Sequence, residues 1–375
     1  MIKSLYHTAA SKALAAVTTG LLLTFIAACS DDEKDALYID TNTYYDEAYR
    51  PSVHFTPKTY WTNDPNGMAY LDGEYHLFYQ YNPMGSVWGN LSWGHAVTKD
   101  LMHWEHLPVA LTKDANGEIF SGSIVIDRDN TAGFGKDAMV AVYTSNGQKQ
   151  TQSLAYSLDK GRTFIKYKNN PVLKDDAKPD FRDPKVFWYA AGSKWIMSLA
   201  TGQTITFYSS SDLKEWKKLS DFGDGIGAHG GVWECPDLIQ MDYNGQKKWV
   251  LLVSIHPGGP TGGSATQYFV GDFDGVTFTA DNLPYPLWID YGKDNYAGVT
   301  WNNVPDGRHL FIAWMSNWQY AGVVPSMTWR GGMTLPRELA LQKDADGRPI
   351  ITSRIVKEDD AIAGEWKKIS ASDNN

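Results

Sequence analysis

Beyond about Pro51 the apolar residues of the chain gather in short runs of five to seven residues: Tyr75–Tyr81, Met139–Tyr143, Lys185–Tyr189, Trp195–Leu199, Trp249–Ser254 and His309–Trp314. Gly, Asn, Asp and Pro bound these runs, which is the pattern of strands joined by turns. Outside the N-terminal 28 residues no window keeps an apolar stripe of helical period. The pattern predicts an all-β body.

A repeat lies within that body. Thr98-Lys99-Asp100-Leu101-Met102-His103-Trp104 matches Ser210-Ser211-Asp212-Leu213-Lys214-Glu215-Trp216, and looser copies run from Asp159 to Phe164 and from Asp274 to Phe278. The four aspartates stand 59, 53 and 62 residues apart. A turn followed by an aromatic strand at that period is what one four-stranded propeller blade would produce. Residues 51–345 then hold five such units.

The N-terminus has a different texture. Residues 1–28 contain Lys3 and Lys12 but no acid, and Ala13–Ala28 is a run of 16 uncharged residues ending in small side chains before Cys29. That run is shorter than the ~20 apolar residues of a membrane-spanning helix. It reads as a signal peptide. Ile26-Ala27-Ala28-Cys29 resembles a bacterial lipobox, which would make Cys29 a lipid anchor and the only link to a membrane. Ser30-Asp31-Asp32-Glu33 resembles the export tag of some Gram-negative surface lipoproteins, so an outer-membrane or cell-surface location, or one facing the periplasm, is expected. Residues 29–50 form an acidic linker on this reading.

Charge and composition narrow the chemistry. The 375 residues carry 34 Lys+Arg against 43 Asp+Glu, and removal of residues 1–28 leaves 32 bases and a net charge of −11. An acidic field makes nucleic acid an improbable partner. Two cysteines exclude a disulfide scaffold, and nine histidines without metal-ligand spacing predict no metal site and no cofactor. Aromatic residues make up 13% of the chain, and such rings both fill cores and stack on flat ligand faces.

A propeller gathers loops from every blade over one central channel, so polar residues far apart in sequence can converge there. Three acidic motifs are candidates: Asn63-Asp64-Pro65-Asn66-Gly67, Arg182-Asp183-Pro184 and Glu234-Cys235-Pro236-Asp237. Each alone also reads as a turn or a surface charge. Glu234 among apolar neighbours would be partly desolvated, which suits a proton donor.

These motifs, in order along the chain, resemble those of glycoside hydrolase family 32, the invertase, inulinase and levanase group. The resemblance runs from about His54 to Glu338. Besides the three acidic motifs it includes Phe78–Pro83, Val87-Trp88-Gly89, Trp93–Ala96, Trp104-Glu105-His106, Phe120–Ser123 and Trp314-Met315. Thr62 departs from the Met that many relatives carry. The resemblance implies a five-bladed β-propeller that is a retaining β-fructosidase acting on fructan or sucrose. It implies Asp64 as nucleophile, Glu234 as acid and base, and Asp183 as the anion that holds the sugar and favours a cationic transition state. Arg182 would keep Asp183 ionised. Trp61, Asn63, Gln80, Trp88, Phe120, Ser121 and Trp314 match sugar-binding positions, with core packing as the other reading of Trp88 and Trp314.

Relatives usually add a β-sandwich after the propeller, whereas 37 residues follow Glu338 here. The expectation is therefore that the sandwich is missing, that residues 346–375 are its polar remnant, and that the protein is a monomer. Two other functions remain open: an endo-acting levanase, and a surface lipoprotein on the same propeller that binds fructan without hydrolysing it.

Overall fold

A computed structural model describes residues 45–358. The expectations for the signal peptide, for Cys29 and for the chain after residue 358 lie outside the described residues. Among the described residues there is no α-helix; the elements are strands and short 3₁₀ turns such as Ala190–Gly192 and Ala321–Val323. No helix there is long and apolar enough to cross a membrane.

The strands form five antiparallel sheets in chain order. Blade 1 comprises Tyr60–Leu71, Glu74–Asn82, Ser92–Thr98 and Glu105–Leu111; blade 2 is built on Glu118–Asp127, Ala138–Asn146 and Gln150–Ser157. Blade 3 comprises Arg182–Tyr189, Lys194–Ala200, Ile205–Ser210 and Lys217–Phe222. Blade 4 is built on Val232–Tyr243, Gln246–His256 and Ala265–Phe273, and blade 5 on Tyr296–Thr300, His309–Trp314, Arg337–Lys343 and Pro349–Ile355. The first strands of consecutive blades adjoin, and that of blade 5 meets that of blade 1. Five sheets thus stand around one axis, the predicted propeller. Trp329–Arg330 pairs in parallel with Tyr60–Trp61, so a late segment seals the ring onto its first strand.

The apolar runs are explained by the spaces between blades. In blade 2, Val140 and Val142 pack toward blade 3, while Met139, Ala141 and Tyr143 pack toward blade 1. In blade 4, Leu251 and Val253 face blade 3 while Val250 and Leu252 face blade 5. A strand covered on both faces needs apolar side chains at every position, since neighbours point to opposite sides. Five such clusters, one per interface, make up the core.

The repeat also has a local cause. Asp100 accepts the backbone N–H groups of Met102 and His103, Asp212 those of Lys214 and Glu215, Asp159 that of Thr163, and Asp274 those of Val276 and Thr277. Each closes the turn between the third and outer strands of its blade. A fifth copy, missed in the sequence, is Asp344, which accepts from Asp346 and Arg348 in blade 5. Arg348 stands where the other blades have an aromatic ring. This hairpin runs past residue 345, the expected end of the propeller, because Pro349–Ile355 is the outer strand of blade 5.

Candidate active site

All five first strands are bulged near the same mouth of the channel. Their registers shift between Thr62 and Pro65, Ile119 and Gly122, Arg182 and Lys185, Glu234 and Asp237, and Tyr296 and Val299. A bulge leaves one residue unpaired and re-aims its side chain. The bulged positions include Asp64, Ser121, Asp183 and Cys235. Asp183 and Cys235 adopt positive φ, 64° and 46°, conformations non-glycine residues seldom take. Proline follows three of them, at Pro65, Pro184 and Pro236, where no ladder N–H is needed.

These positions open on a cavity of about 480 Å³ lined by Asn63, Asp64, Gln80, Trp88, Phe120, Ser121, Arg182, Asp183 and Glu234. Nine of the eleven catalytic and binding residues inferred from sequence therefore converge on one pit. Trp61 and Trp314 do not. They are 1% and 0% exposed, behind the wall. Trp61 donates from Nε1 to Oδ1 of Asn63 at 2.7 Å, and both tryptophans pack against Trp318, which does line the pit. Their expected sugar contacts are replaced by support of the residues in front of them. The wall itself is Trp88, 49% exposed and edge-on to Phe120 and Trp318. The core-packing reading of Trp88 is thereby excluded.

Asp64 is held at both oxygens: Ser121 Oγ donates to Oδ2 at 2.7 Å and Asn63 Nδ2 to Oδ1 at 3.0 Å. Burial and the charge of Glu234 push its proton affinity up, and these hydrogen bonds oppose the shift. Asp183 accepts the backbone N–H of Cys235 at 3.0 Å. Arg182 departs from its expected role. Its guanidinium stands 4.0 Å from Asp183 but donates to Oε1 of Glu234 at 3.0 Å and to Asp180 at 2.5 Å. Burial, aided by Glu234 and Asp64, therefore outweighs Arg182 and raises the pKa of Asp183.

Glu234 is consequently not a lone acid among apolar groups. Arg182 grips Oε1, and the hydroxyl of Tyr296 donates to Oε2. Tyr296 was missed because Tyr296–Thr300 reads as an ordinary apolar strand; no signal in the sequence marks it. Leu91, Val232 and Trp318 also line the pit and were missed, and His256 joins them there. For Trp318 the only available cue was its place four residues after Trp314. Three carboxyl groups around one arginine, with aromatic walls and amide donors, can bind a neutral polyol, stabilise positive charge and exchange a proton. No group of three or more His, Cys, Asp or Glu side chains suited to a metal ion occurs among the described residues.

Residues 54–351 match the family model described as Glycosyl hydrolases family 32 N-terminal domain. A levanase of Bacillus subtilis (strain 168) is 54% identical over 344 residues, spanning 88% of this chain and 51% of its own length. The crystal structure of an exo-inulinase from Aspergillus awamori superposes with a TM-score of 0.78 at 42% identity, covering 83% of this chain and 68% of that one. A fructofuranosidase from Schwanniomyces occidentalis, complexed with fructose, also gives 0.78 at 42% identity, over 85% of this chain and 65% of that one. The chain spans about half to two thirds of the length of the curated relatives it matches. With the propeller, the three acidic motifs in one pit and these matches together, the chain belongs to glycoside hydrolase family 32.

Proposed function

We propose that this chain removes terminal β-D-fructofuranosyl units from fructan or sucrose by double displacement. The observation that carries the reading is the meeting of Asp64, Asp183 and Glu234, from three blades, in one pit. Asp64 attacks the anomeric C2 while Glu234 gives its proton to the leaving oxygen. Glu234 then takes a proton from water, which attacks C2 and releases Asp64. Asp183, beside them, holds sugar hydroxyls and favours the oxocarbenium-like transition state. The levanase, exo-inulinase and fructofuranosidase relatives support the substrate class.

A pit favours action on chain ends over internal cleavage. Below Asp183 in the channel Lys185 and Asp237 form a buried ion pair, Nζ to Oδ2 at 3.1 Å, which supports a pit that a sugar enters and leaves by one mouth. The binding-only reading gains nothing from Ser121 and Asn63 holding both oxygens of Asp64, an arrangement that suits a nucleophile. The signal peptide and Cys29 support a lipid-anchored surface location, and Cys29→Ser would release the enzyme from membranes.

The test is hydrolysis of sucrose, inulin and levan by the purified protein. Asp64→Asn and Glu234→Gln are expected to lower turnover by about 10³-fold or more. Full activity in either variant overturns that residue's role. Fructose alone supports exo action, a ladder of oligosaccharides supports endo action, and β-fructofuranose as the first anomer supports retention.

A further inference from the structure

The first strands continue from the pit to the opposite mouth of the channel. From Asp183 to Trp188 is five residues, about 16 Å of strand at ~3.3 Å per residue. Two adjoining cavities of about 390 and 550 Å³ lie at that far mouth and share Trp188 and Asn303 in their walls. Trp188 is 39% exposed. Its ring stands edge-on to Trp195, with centroids 5.0 Å apart, and Trp195 is itself pinned by its Nε1 donating to Thr131 Oγ1 at 2.8 Å. An exposed, immobilised indole at a cavity wall offers a flat apolar face.

The larger cavity adds an unused acceptor. Asp237 lines it and is wholly buried. Its Oδ2 takes Lys185 and both the N–H and hydroxyl of Thr300, whereas Oδ1 has no hydrogen-bond donor among the described residues. A buried carboxylate oxygen without a donor is costly, so a ligand hydroxyl placed there is favoured. The charges disfavour a phosphorylated ligand. Lys185 is committed to Asp237, and Arg128 donates to Asn303 and lies 3.6 Å from Asp137. A flat indole, an unpaired acceptor and no uncommitted lysine or arginine in these walls together describe a site for a neutral, hydroxyl-rich ring.

We propose that the far mouth is a second carbohydrate site, which binds an inner stretch of the fructan chain with Trp188 as the stacking platform. This rests on the proposed activity: a polymer held at the far mouth keeps its end in reach of the pit, whereas sucrose is too short to gain.

The experiment compares wild type with Trp188→Ala, Trp188→Phe and Arg128→Ala on sucrose and on levan and inulin, with native gels containing each polymer. Trp188→Ala is expected to weaken retardation and raise polymer KM by about three- to tenfold while sucrose kinetics stay within about twofold. Trp188→Phe, which keeps a ring, retains most of the binding. Arg128→Ala removes the donor that holds Asn303 in the wall both cavities share, and weakens retardation even if Trp188→Ala fails to fold. Unchanged retardation and polymer KM in Trp188→Ala and Arg128→Ala overturn the second site. A wild type that hydrolyses none of the three sugars overturns the proposed activity instead, and the gels still report on the far mouth.

Discussion

Arg182 donates from Nη2 to Oε1 of Glu234 at 3.0 Å, across 52 residues, although its sequence neighbour is Asp183. It is the only arginine or lysine among the residues that line the pit. The single cation is therefore bonded to the proposed acid and only partly offsets the burial of Asp183. A guanidinium presents a planar fork that an ammonium cannot reproduce. Arg182→Lys is expected to lose about 10²-fold in kcat/KM on sucrose, and Arg182→Met more. Steady-state kinetics decide, and a lysine variant within twofold of wild type would show the contact to be idle.

Asp183 should stabilise the site's chemistry at the expense of the fold. Its folded pKa is raised above the ordinary 3.8, mainly by burial. A carboxyl shifted in that direction contributes stability below its unfolded pKa and loses it as pH rises through the folded value. Near neutrality the ionised group is a liability. Asp183→Asn keeps an oxygen to accept the Cys235 N–H, removes the charge, and should be inactive yet more stable at pH 7. Each tenfold rise in proton affinity on folding corresponds to about 1.4 kcal/mol, or ~2–4 °C in Tm for a domain of this order. Thermal unfolding at pH 7 and pH 4 tests this, since the gain should shrink on acidification. An asparagine variant less stable than wild type at both values would refute it.

What the sequence disclosed follows from where the physical cause resides. Met139–Tyr143 was legible as a strand because both its faces are buried, and Asp100, Asp159, Asp212 and Asp274 were legible as turns because the aspartate itself closes each turn. Asp344 performs the same task but lacks the aromatic partner, so the fifth blade went unmarked. Asp64, Asp183 and Glu234 stand in distinctive local motifs. Tyr296 does not: its hydroxyl reaches Glu234 only because blade 5 closes beside blade 4. The sequence likewise could not sort tryptophans, since whether a ring faces sugar, as Trp88 can, or supports Asn63, as Trp61 does, depends on the three-dimensional packing.

The thiol of Cys235 should be inert. Its Sγ lies 3.6 Å from Oδ2 of Asp64 and 3.6 Å from Oδ2 of Asp183, and burial beside three carboxyl groups pushes its pKa well above the ordinary thiol value. The thiolate is the species that alkylates. Native protein treated with iodoacetamide at pH 8 should leave the Cys235 peptide unmodified by mass spectrometry, and unfolding in guanidinium should expose it. Rapid labelling of Cys235 in the active, folded protein would contradict both its burial and its neutral state.

The last prediction concerns acid stability. His76 Nδ1 and His95 Nε2 lie 3.1 Å apart in blade 1, with the ring of His95 stacked on Phe78 at 3.9 Å. One nitrogen must accept from the other, so the contact needs at least one neutral ring. Burial pushes His76 down to about 4 and His95 well below its usual value. For a histidine shifted downward, stability is complete above the unfolded pKa of about 6.5 and is lost as pH falls through the folded value. For His76 alone that amounts to about 3 kcal/mol between those limits. Guanidinium unfolding at pH 7 and pH 4.5 should show the decline, and His95→Gln should reduce it, while the raised carboxyls of the pit act in the opposite direction in both proteins. Imidazole resonances of His76 that titrate near pH 6.5 in the folded protein would overturn this assignment.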